Sequence, residues 1–286
     1  MRKGAFCILA SAFGFAVMAM FVRLCDDCGG PVSSFQKGFF RNLVALVAAL
    51  AVFRLRGPRP ASAFASLRAP RARFVLLLRS ALGTLGIFAN FYALSRIPIA
   101  EGQTLNKTAP FFTVVFAGLF LGERATRRQL AALALALAGV ALIVKPGFAG
   151  AQAFPLAMGL LSGVAAGGAY ACVRELGVLK VDGPLIVLVF SAFSCLASVP
   201  FMVRRLDPMT PGQLLTLLGA GVGAAVGQFG ITAAYRFAAP RAIAVFDYAS
   251  VVFAALFGFA LFGQVPDLWS ALGLALIVVA AAFSAD

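Results

Sequence analysis

Charged and amide side chains occur inside several segments that are otherwise apolar enough to cross a membrane. In "EGQTLNKTAPFF", residues 101–112, Asn106 and Lys107 precede a long apolar stretch. Arg79 and Asp247 are likewise surrounded by apolar residues. A charge in the bilayer interior is unfavourable even on insertion scales. Such residues therefore indicate a functional site by default, with pairing or snorkelling to the surface as the structural alternatives.

Uncharged polar residues in the same segments could complete a binding site. A small-molecule site needs a few convergent polar groups in an apolar setting, with aromatic rings for stacking. Six residues meet this description: Asn90, Tyr92, Gln103, Tyr170, Gln228 and Tyr248. The sequence contains no His, which removes most zinc sites and imidazole acid–base chemistry. We therefore expect no metal, no cofactor and no enzymatic activity.

The segments that position these residues are helical by length and composition. The 286-residue chain is 62% hydrophobic and 12% charged, whereas soluble domains are about 25% charged. Apolar stretches of about 20 residues recur throughout, without the alternation typical of a β-barrel, and predict an all-α membrane protein. Ten transmembrane helices are predicted, at 4–24, 34–54, 73–95, 101–121, 128–145, 154–174, 183–203, 212–235, 242–263 and 267–284.

The distribution of basic residues predicts the orientation. With the N-terminus inside, 15 of the 24 Lys and Arg residues fall on the inner side, five on the outer side and four within spans. This bias places both termini in the cytoplasm, and it accounts for the net charge of +14 without nucleic acid. We expect a multi-pass protein of the inner membrane whose partners are the bilayer and a small-molecule substrate. A coupling proton or a counter-substrate would be a further partner.

Depth along the helix axis divides the charged residues into two groups. At about 1.5 Å per residue, Arg41 and Lys107 lie roughly 10 Å below the outer surface, and Glu101 lies at the outer mouth. The excess of positive charge in the outer half favours an anionic or carboxylate-bearing ligand. Arg79 and Asp247 each lie roughly 9 Å above the inner surface. We predict that they form an ion pair or a gate, with direct ligand contact as the alternative.

The two halves of the chain contain an internal repeat. Gly122 in "FLGERATRRQLAALALALAGVALIV" matches Gly263 in "LFGQVPDLWSALGLALIVVAAAF", at an offset of 141 residues. Five spans in each half give the halves opposite orientations. We therefore predict two inverted repeats, residues 1–148 and 149–286, within one integral membrane domain.

The repeat relates the polar positions to each other. At the same offset Asn106 corresponds to Asp247, and Lys107 corresponds to Tyr248. Inverted orientation would separate Lys107 from Asp247 by roughly 11 Å along the membrane normal. We therefore expect these two charges to face one cavity from opposite ends without bonding directly.

Proline, glycine and cysteine residues suggest three local features. Pro110 follows Lys107 by one turn and removes a backbone hydrogen bond, which predicts a kink that either borders the cavity or is only a bend. Gly223 and Gly227 form a GxxxG motif, which is typical of close helix packing. "CDDC", from Cys25 to Cys28, allows either a disulfide or two free thiols.

Residues 91–146, "FYALSRIPIAEGQTLNKTAPFFTVVFAGLFLGERATRRQLAALALALAGVALIVKP", resemble the EamA-type module of the drug/metabolite transporter superfamily. The features that carry the resemblance are "YALSRIPIAEG", a Pro in mid-span, "LGER", the following Gln129 and "GVALIV". The module recurs more weakly at residues 235–283. The resemblance implies a ten-helix, two-repeat bundle that moves amino acids, nucleotide-linked sugars, vitamins, drugs or other metabolites.

Departures from the family pattern bear on the substrate. The second copy has Gln264 where the first has Glu123, and it has no counterpart of Pro110. Small multidrug exporters of the superfamily rely on a carboxylate in their first helix, and the first span here has none. We predict a secondary transporter that moves a small anionic or zwitterionic metabolite, such as an amino acid or a nucleoside-like solute, by alternating access. A multidrug or organic-cation exporter is the alternative. An inverted repeat argues against a channel.

Overall fold

The computed structural model describes residues 2–30, 32–55, 66–94, 96, 105–144, 153–204, 206–263 and 265–285, and the regular secondary structure in these ranges is helical. The helices of the first half are α1 (Arg2–Asp27), α2 (Ser34–Leu55), α3 (Pro70–Leu94), α4 (Ala109–Leu121) and α5 (Arg127–Val144). Those of the second half are α6 (Ala153–Val178), α7 (Gly183–Arg204), α8 (Pro211–Phe237), α9 (Ala249–Phe262) and α10 (Leu268–Ala285). Short 3-10 turns at Ser66–Arg68 and Ala244–Tyr248, and a one-turn helix at Pro240–Ile243, complete the elements.

Within the described ranges, seven helical segments are long and apolar enough to cross a membrane. They are Arg2–Asp27, Phe35–Leu55, Pro70–Asn90, Ala153–Val178, Gly183–Arg204, Pro211–Phe237 and Pro240–Leu261. Two shorter apolar helices accompany them, at Ala109–Leu121 and Leu268–Phe283. Large apolar side chains such as Phe6, Leu119 and Leu196 lie exposed on the outer faces of the helices. The structure therefore confirms the predicted class, an all-α multi-pass membrane protein.

The segment predicted as a continuous span at 101–121 is interrupted near its middle. Residues 101–104 lie outside the described residues, and α4 begins only at Ala109. A turn at Lys107 and Thr108 precedes the helix, with the Thr108 N–H donating to the Leu105 carbonyl at 3.2 Å. In the second half the 3-10 turn ends at the repeat-related residue Tyr248, immediately before α9. Both segments thus change helical geometry at the same repeat position.

At Pro110 the structure has a break between helical segments, because a turn at Lys107 and Thr108 separates residues 105–106 from α4. Pro110 lies in the first turn of α4, so it stands at a helix start and not in a helix interior. The first N–H groups of a helix have no partner within the helix, and a residue without an N–H is readily accommodated there. Pro110 therefore marks where the interrupted segment resumes as a regular helix.

Most of the closely packed helix pairs have a counterpart five helices along the chain, although α6–α8 does not. The α1–α8 pair corresponds to α6–α3. The α4–α6 pair corresponds to α9–α1, and the α2–α8 pair corresponds to α7–α3. The remaining major pairs, α2 with α7 and α5 with α10, join helices that are themselves five places apart.

Glycine allows the closest of these crossings. A Cβ on Gly14 of α1 would lie 2.7 Å from the backbone nitrogen of Gly227, and one on Gly223 would lie 2.8 Å from the carbonyl oxygen of Gly14. Because both neighbouring atoms belong to the backbone, they cannot move aside by rotating a side chain. The α1–α8 crossing therefore uses the GxxxG motif of α8 for close packing, as the sequence predicts.

Repeat-related glycines end α4 and α9 in the same way. Gly122 has φ 70° and donates its N–H to the Ala117 carbonyl, while Gly263 has φ 62° and donates to the Gly258 carbonyl. Positive φ is readily adopted by glycine. The two cap glycines are separated by 141 residues, the offset of the internal repeat, and so are the two residues that accept their hydrogen bonds.

The cysteine pair of the first connection is not a disulfide. Cys25 is buried and Cys28 is exposed, and both are free thiols.

Candidate functional site

A cavity of about 420 Å³ lies between helices of both halves. Its lining includes residues of α1, α2, α3, α4, α6, α7, α8 and α9 and of the turns that precede α4 and α9. Eight of the residues selected from the sequence line it: Arg41, Arg79, Asn90, Asn106, Lys107, Tyr170, Gln228 and Asp247.

Arg41, on α2, is the cation of this cavity with the fewest protein contacts. Its guanidinium lies over the Phe15 ring at 5.8 Å, and its Nε is buried without a hydrogen-bond partner. Within the described part of the chain, Arg41 has no ion pair and donates no hydrogen bond. A guanidinium prefers bidentate contact with a carboxylate or phosphate. The arrangement therefore leaves Arg41 free to bind an anionic group.

Arg79, on α3, is held more tightly and is only 1% exposed. Its Nη2 donates to Gln228 Oε1 at 3.2 Å, and its guanidinium carbon lies 4.0 Å from the centroid of the Phe190 ring. A stacked, desolvated guanidinium gains about 2 kcal/mol from such a ring. Gly83 leaves room for this arrangement, because a Cβ there would collide with Arg79 Nη1 and with Phe190.

The predicted ion pair between Arg79 and Asp247 is not formed. Within the described residues, Arg79 bonds to Gln228 on α8, and the Asp247 carboxylate has no ion pair. Equal depth in the membrane specified the height of the two residues but not their direction around the helix axes. α3 packs against α6 and α7, and this packing turns Arg79 toward Phe190 of α7.

Lys107 and Asp247 are closer together than the predicted separation of roughly 11 Å along the membrane normal. Lys107 Nζ donates to Ser250 Oγ at 2.7 Å, and Ser250 Oγ donates to the Asp247 carbonyl at 2.8 Å. The charges of Lys107 and Asp247 also interact electrostatically. The depth estimate assumed continuous helices, whereas both segments are interrupted at these turns, so the two turns meet at the cavity.

Tyr248 lies behind the cavity wall and contacts the turn that carries Lys107. The residue is 0% exposed, and its hydroxyl donates to the Lys107 carbonyl at 3.0 Å. The two residues are separated by the repeat offset of 141, so corresponding positions of the two halves contact each other. Tyr248 supports Lys107 and is not part of the cavity lining.

The remaining polar residues contribute unequal numbers of contacts. Asn106 Nδ2 donates to Ser162 Oγ at 3.1 Å, and Asn90 Oδ1 is buried without a hydrogen-bond partner. Tyr170 has its ring 5.7 Å from that of Tyr235 and lines the cavity together with the charged groups. Asn90 is therefore a polar group available to a ligand, whereas Asn106 is engaged with α6.

Tyr92, like Tyr248, does not line the cavity. Tyr92 contacts the Phe154 ring edge-on at 5.5 Å, and the Arg96 guanidinium lies 3.8 Å from the Tyr92 ring centroid. Gln103 and Glu101 lie outside the described residues.

Sequence analysis missed the aromatic and hydroxyl partners of the site. Phe15 and Phe190 contact Arg41 and Arg79, but nothing distinguishes them among 29 Phe residues. Ser250 follows Asp247 by three residues and therefore lies on the same helical face. That spacing was a signal that could have identified Ser250.

The fold and the cavity together define a class of protein. Its helices have lipid-compatible outer faces, and its polar cavity is assembled from both halves of the chain. This is the architecture of a multi-pass membrane transporter for small solutes. The chain belongs to the EamA-like transporter family, whose model matches residues 2–145. The protein is thus a transporter and not an enzyme, with a small-molecule substrate.

Individual relatives extend this similarity over the whole chain. The pseudopaline exporter CntI of Pseudomonas aeruginosa is 30% identical over 281 residues, covering 98% of this chain and 95% of the relative. A riboflavin transporter of Vibrio cholerae is 30% identical over 289 residues, covering 98% and 92%. Human solute carrier family 35 member G1 is 28% identical, covering 97% and 77%. One crystal structure superimposes with a TM-score of 0.80 over 96% of each chain at 20% identity, which supports the fold.

Proposed function

We propose that this protein is a secondary transporter that moves a small anionic or zwitterionic metabolite across the inner membrane by alternating access. The observation that carries the proposal is Arg41, a cation facing the cavity without a hydrogen bond or ion pair in the described chain. Among the described residues, three cations, Arg41, Arg79 and Lys107, line the cavity against one carboxylate, Asp247. An anionic group on the solute would offset the excess positive charge.

The topology that we propose is ten transmembrane helices in two inverted repeats, residues 1–148 and 149–286, with both termini in the cytoplasm. Three observations support the repeat. Most closely packed helix pairs exchange when every helix is replaced by the one five places along; Gly122 and Gly263 form equivalent caps; and the family match ends at residue 145. The excess of basic residues in the connections assigned to the inner side supports the orientation.

Alternating access is supported by the interrupted segments before α4 and α9. In transporters with inverted repeats, discontinuous helices provide the central site, and the two repeats move against each other around it. Here the hydrogen bond from the Tyr248 hydroxyl to the Lys107 carbonyl connects the interrupted segments of the two halves. A solute bound between Arg41 and this junction would contact both halves and could stabilise one arrangement over the other.

Uptake into proteoliposomes tests the charge preference. Purified protein would be assayed with riboflavin and with panels of carboxylate-bearing, zwitterionic, neutral and cationic solutes as competitors. Hydrogen bonds that involve charged groups contribute about 1.5–3 kcal/mol, so Arg41→Gln should weaken competition by a carboxylate-bearing solute about 10–150-fold. Neutral competitors should change little.

Arg204→Gln provides the matched control, because Arg204 is an exposed residue in the last turn of α7 and does not line the cavity. If Arg41→Gln weakened competition by charged and by neutral solutes equally, the proposed role of Arg41 would be contradicted.

A multidrug or organic-cation exporter is the second candidate. The observation that favours it is the Asp247 carboxylate, which lines the cavity together with the rings of Phe15, Tyr170 and Phe190. If only permanent cations were carried, and if Lys107→Ala left their transport intact, this second function would replace the first.

A further inference from the structure

A second concave region lies on the membrane-facing side of α3, α4 and α6, apart from the central cavity. It has a volume of about 520 Å³, and its lining is almost entirely apolar. On α3 it follows one helical stripe from Arg71 to Leu85, and on α6 it follows another from Leu161 to Glu175. Small residues such as Gly168 form its floor, and the rings of Phe116 and Phe120, stacked at 5.9 Å, line it from α4. We call this region the α3–α6 groove.

The dimensions of the α3–α6 groove favour a hydrocarbon chain over a protein helix. From Arg71 to Leu85 the groove runs about 21 Å along α3, at 1.5 Å per residue. Its volume over that length gives a mean cross-section of about 25 Å². A helix with its side chains is about 10–12 Å across and would need roughly 80 Å². A single hydrocarbon chain, about 4–5 Å across by the contact distance of carbon atoms, fits.

One end of the groove carries a positively charged group. Arg71 Nε donates to Glu175 Oε1 at 2.7 Å, yet the Arg71 side chain is 70% exposed whereas that of Glu175 is 14% exposed. The bond to Glu175 uses Nε and leaves the two Nη groups of Arg71 directed to other partners or to solvent. Arg68 and Arg73 are also exposed near this end. The rest of the lining carries no charge.

We propose that the α3–α6 groove binds one anionic phospholipid, with an acyl chain against Gly168 and the phosphate at Arg71. The length of about 21 Å matches one bilayer leaflet, which is about 20–22 Å thick including its headgroups. Each basic group near the membrane surface contributes about 1 kcal/mol to the attraction of anionic lipid headgroups.

The bound lipid would contact helices that also form the central cavity. α3 contributes Leu82 to the groove and Gly83 to the cavity, while α6 contributes Gly168 to the groove and Ala169 to the cavity. A lipid in the groove would therefore brace α3, the helix that carries Arg79, against α6.

Native mass spectrometry of the full chain, titrated with phosphatidylglycerol and phosphatidylethanolamine, tests the proposal without any transported solute. One phosphatidylglycerol should be retained, and Arg71→Gln should lower its affinity about fivefold relative to phosphatidylethanolamine. Arg54→Gln is the matched control, because Arg54 is an exposed basic residue in the last turn of α2 and does not line the groove. Equal effects of the two substitutions would overturn the headgroup assignment.

A second pair of variants tests the acyl chain. Leu78 lines the groove, whereas its neighbour Leu77 is 57% exposed and does not. Leu78→Trp should displace both lipids by filling the groove, and Leu77→Trp should displace neither. Retention of phosphatidylglycerol by folded Leu78→Trp would refute the site. Loss of a dimer instead of a lipid would also refute it, and would assign the groove to a second copy of the chain.

Discussion

Gly83→Ala should test whether the position of Arg79 matters separately from its charge. Gly83 lies one helical turn after Arg79, and a Cβ there would be 2.8 Å from Phe190 Cε2 and would collide with Arg79 Nη1. The added methyl group must therefore move the guanidinium away from the ring, from Gln228, or from both. The substitution keeps the positive charge in the protein and changes only its location.

The size of the effect follows from the contacts that the guanidinium would lose. The contact with the Phe190 ring contributes about 2 kcal/mol in a desolvated site, and the hydrogen bond to Gln228 contributes about 1.5–3 kcal/mol. Alanine gains about 0.8–1 kcal/mol over glycine in helix propensity. With partial loss of the two contacts, Gly83→Ala should lower the free energy of unfolding by about 1–3 kcal/mol.

A double-mutant cycle with Arg79→Met identifies the cause. Methionine is flexible and carries no guanidinium, so the alanine methyl at position 83 should fit beside it at little cost. The two substitutions should then be non-additive by about 1–2 kcal/mol. Equilibrium unfolding in mixed detergent and sodium dodecyl sulfate, followed by circular dichroism, measures each variant, and proteoliposome uptake is measured alongside.

Gly118→Ala on α4 is the control for helix propensity, because a Cβ there meets its nearest neighbour, the Glu123 carbonyl oxygen, at 3.7 Å. This variant should be as stable as the wild type or slightly more stable. The reasoning would be refuted if Gly83→Ala were as stable as Gly118→Ala, or if its cost were unchanged in the Arg79→Met background.

Two further predictions concern the junction and the crossing of the two halves. Tyr248→Phe should lower the free energy of unfolding by about 0.6–1.7 kcal/mol, because the partly buried Lys107 carbonyl loses its 3.0 Å hydrogen bond. An unchanged unfolding midpoint would show that another donor replaces the hydroxyl. Gly223→Ala should cost about 1–3 kcal/mol, since its Cβ would lie 2.7 Å from the backbone nitrogen of Met18, and a wild-type midpoint would show that α1 and α8 separate without penalty.

The sequence was sufficient to predict the class of fold because the bilayer imposes a length on apolar helices. It was also sufficient to select most of the polar residues that line the cavity, because charged residues such as Arg41 and Lys107 are unfavourable in lipid and tend to face the interior of the bundle. The 3.6-residue period and the apolar length of the segments carry that information without any knowledge of which helices are neighbours.

Pairing within the cavity could not be predicted in the same way. Depth specifies one coordinate of a side chain, whereas a hydrogen bond also requires the direction around the helix axis and the identity of the neighbouring helix. Arg79 and Asp247 share a depth, yet Arg79 bonds to Gln228 because α3 turns it toward α7 and α8. The interruption at Lys107 was missed for a related reason, since a mid-span Pro has the same sequence signature whether it kinks a helix or starts one.

The meeting of repeat-related turns explains why the two halves differ there. Lys107 and Tyr248 are equivalent positions joined by a hydrogen bond from the Tyr248 hydroxyl to the Lys107 carbonyl, so a lysine at both would bring a second ammonium group to this junction. Two lysines would repel at short range in a medium of low dielectric constant. The second half instead presents a tyrosine hydroxyl to the Lys107 carbonyl and a carboxylate, Asp247, to the Lys107 charge. The equivalent scaffold and the unequal polar residues are thus consequences of the same contact: the repeat brings the two turns together, and their closeness requires them to diverge.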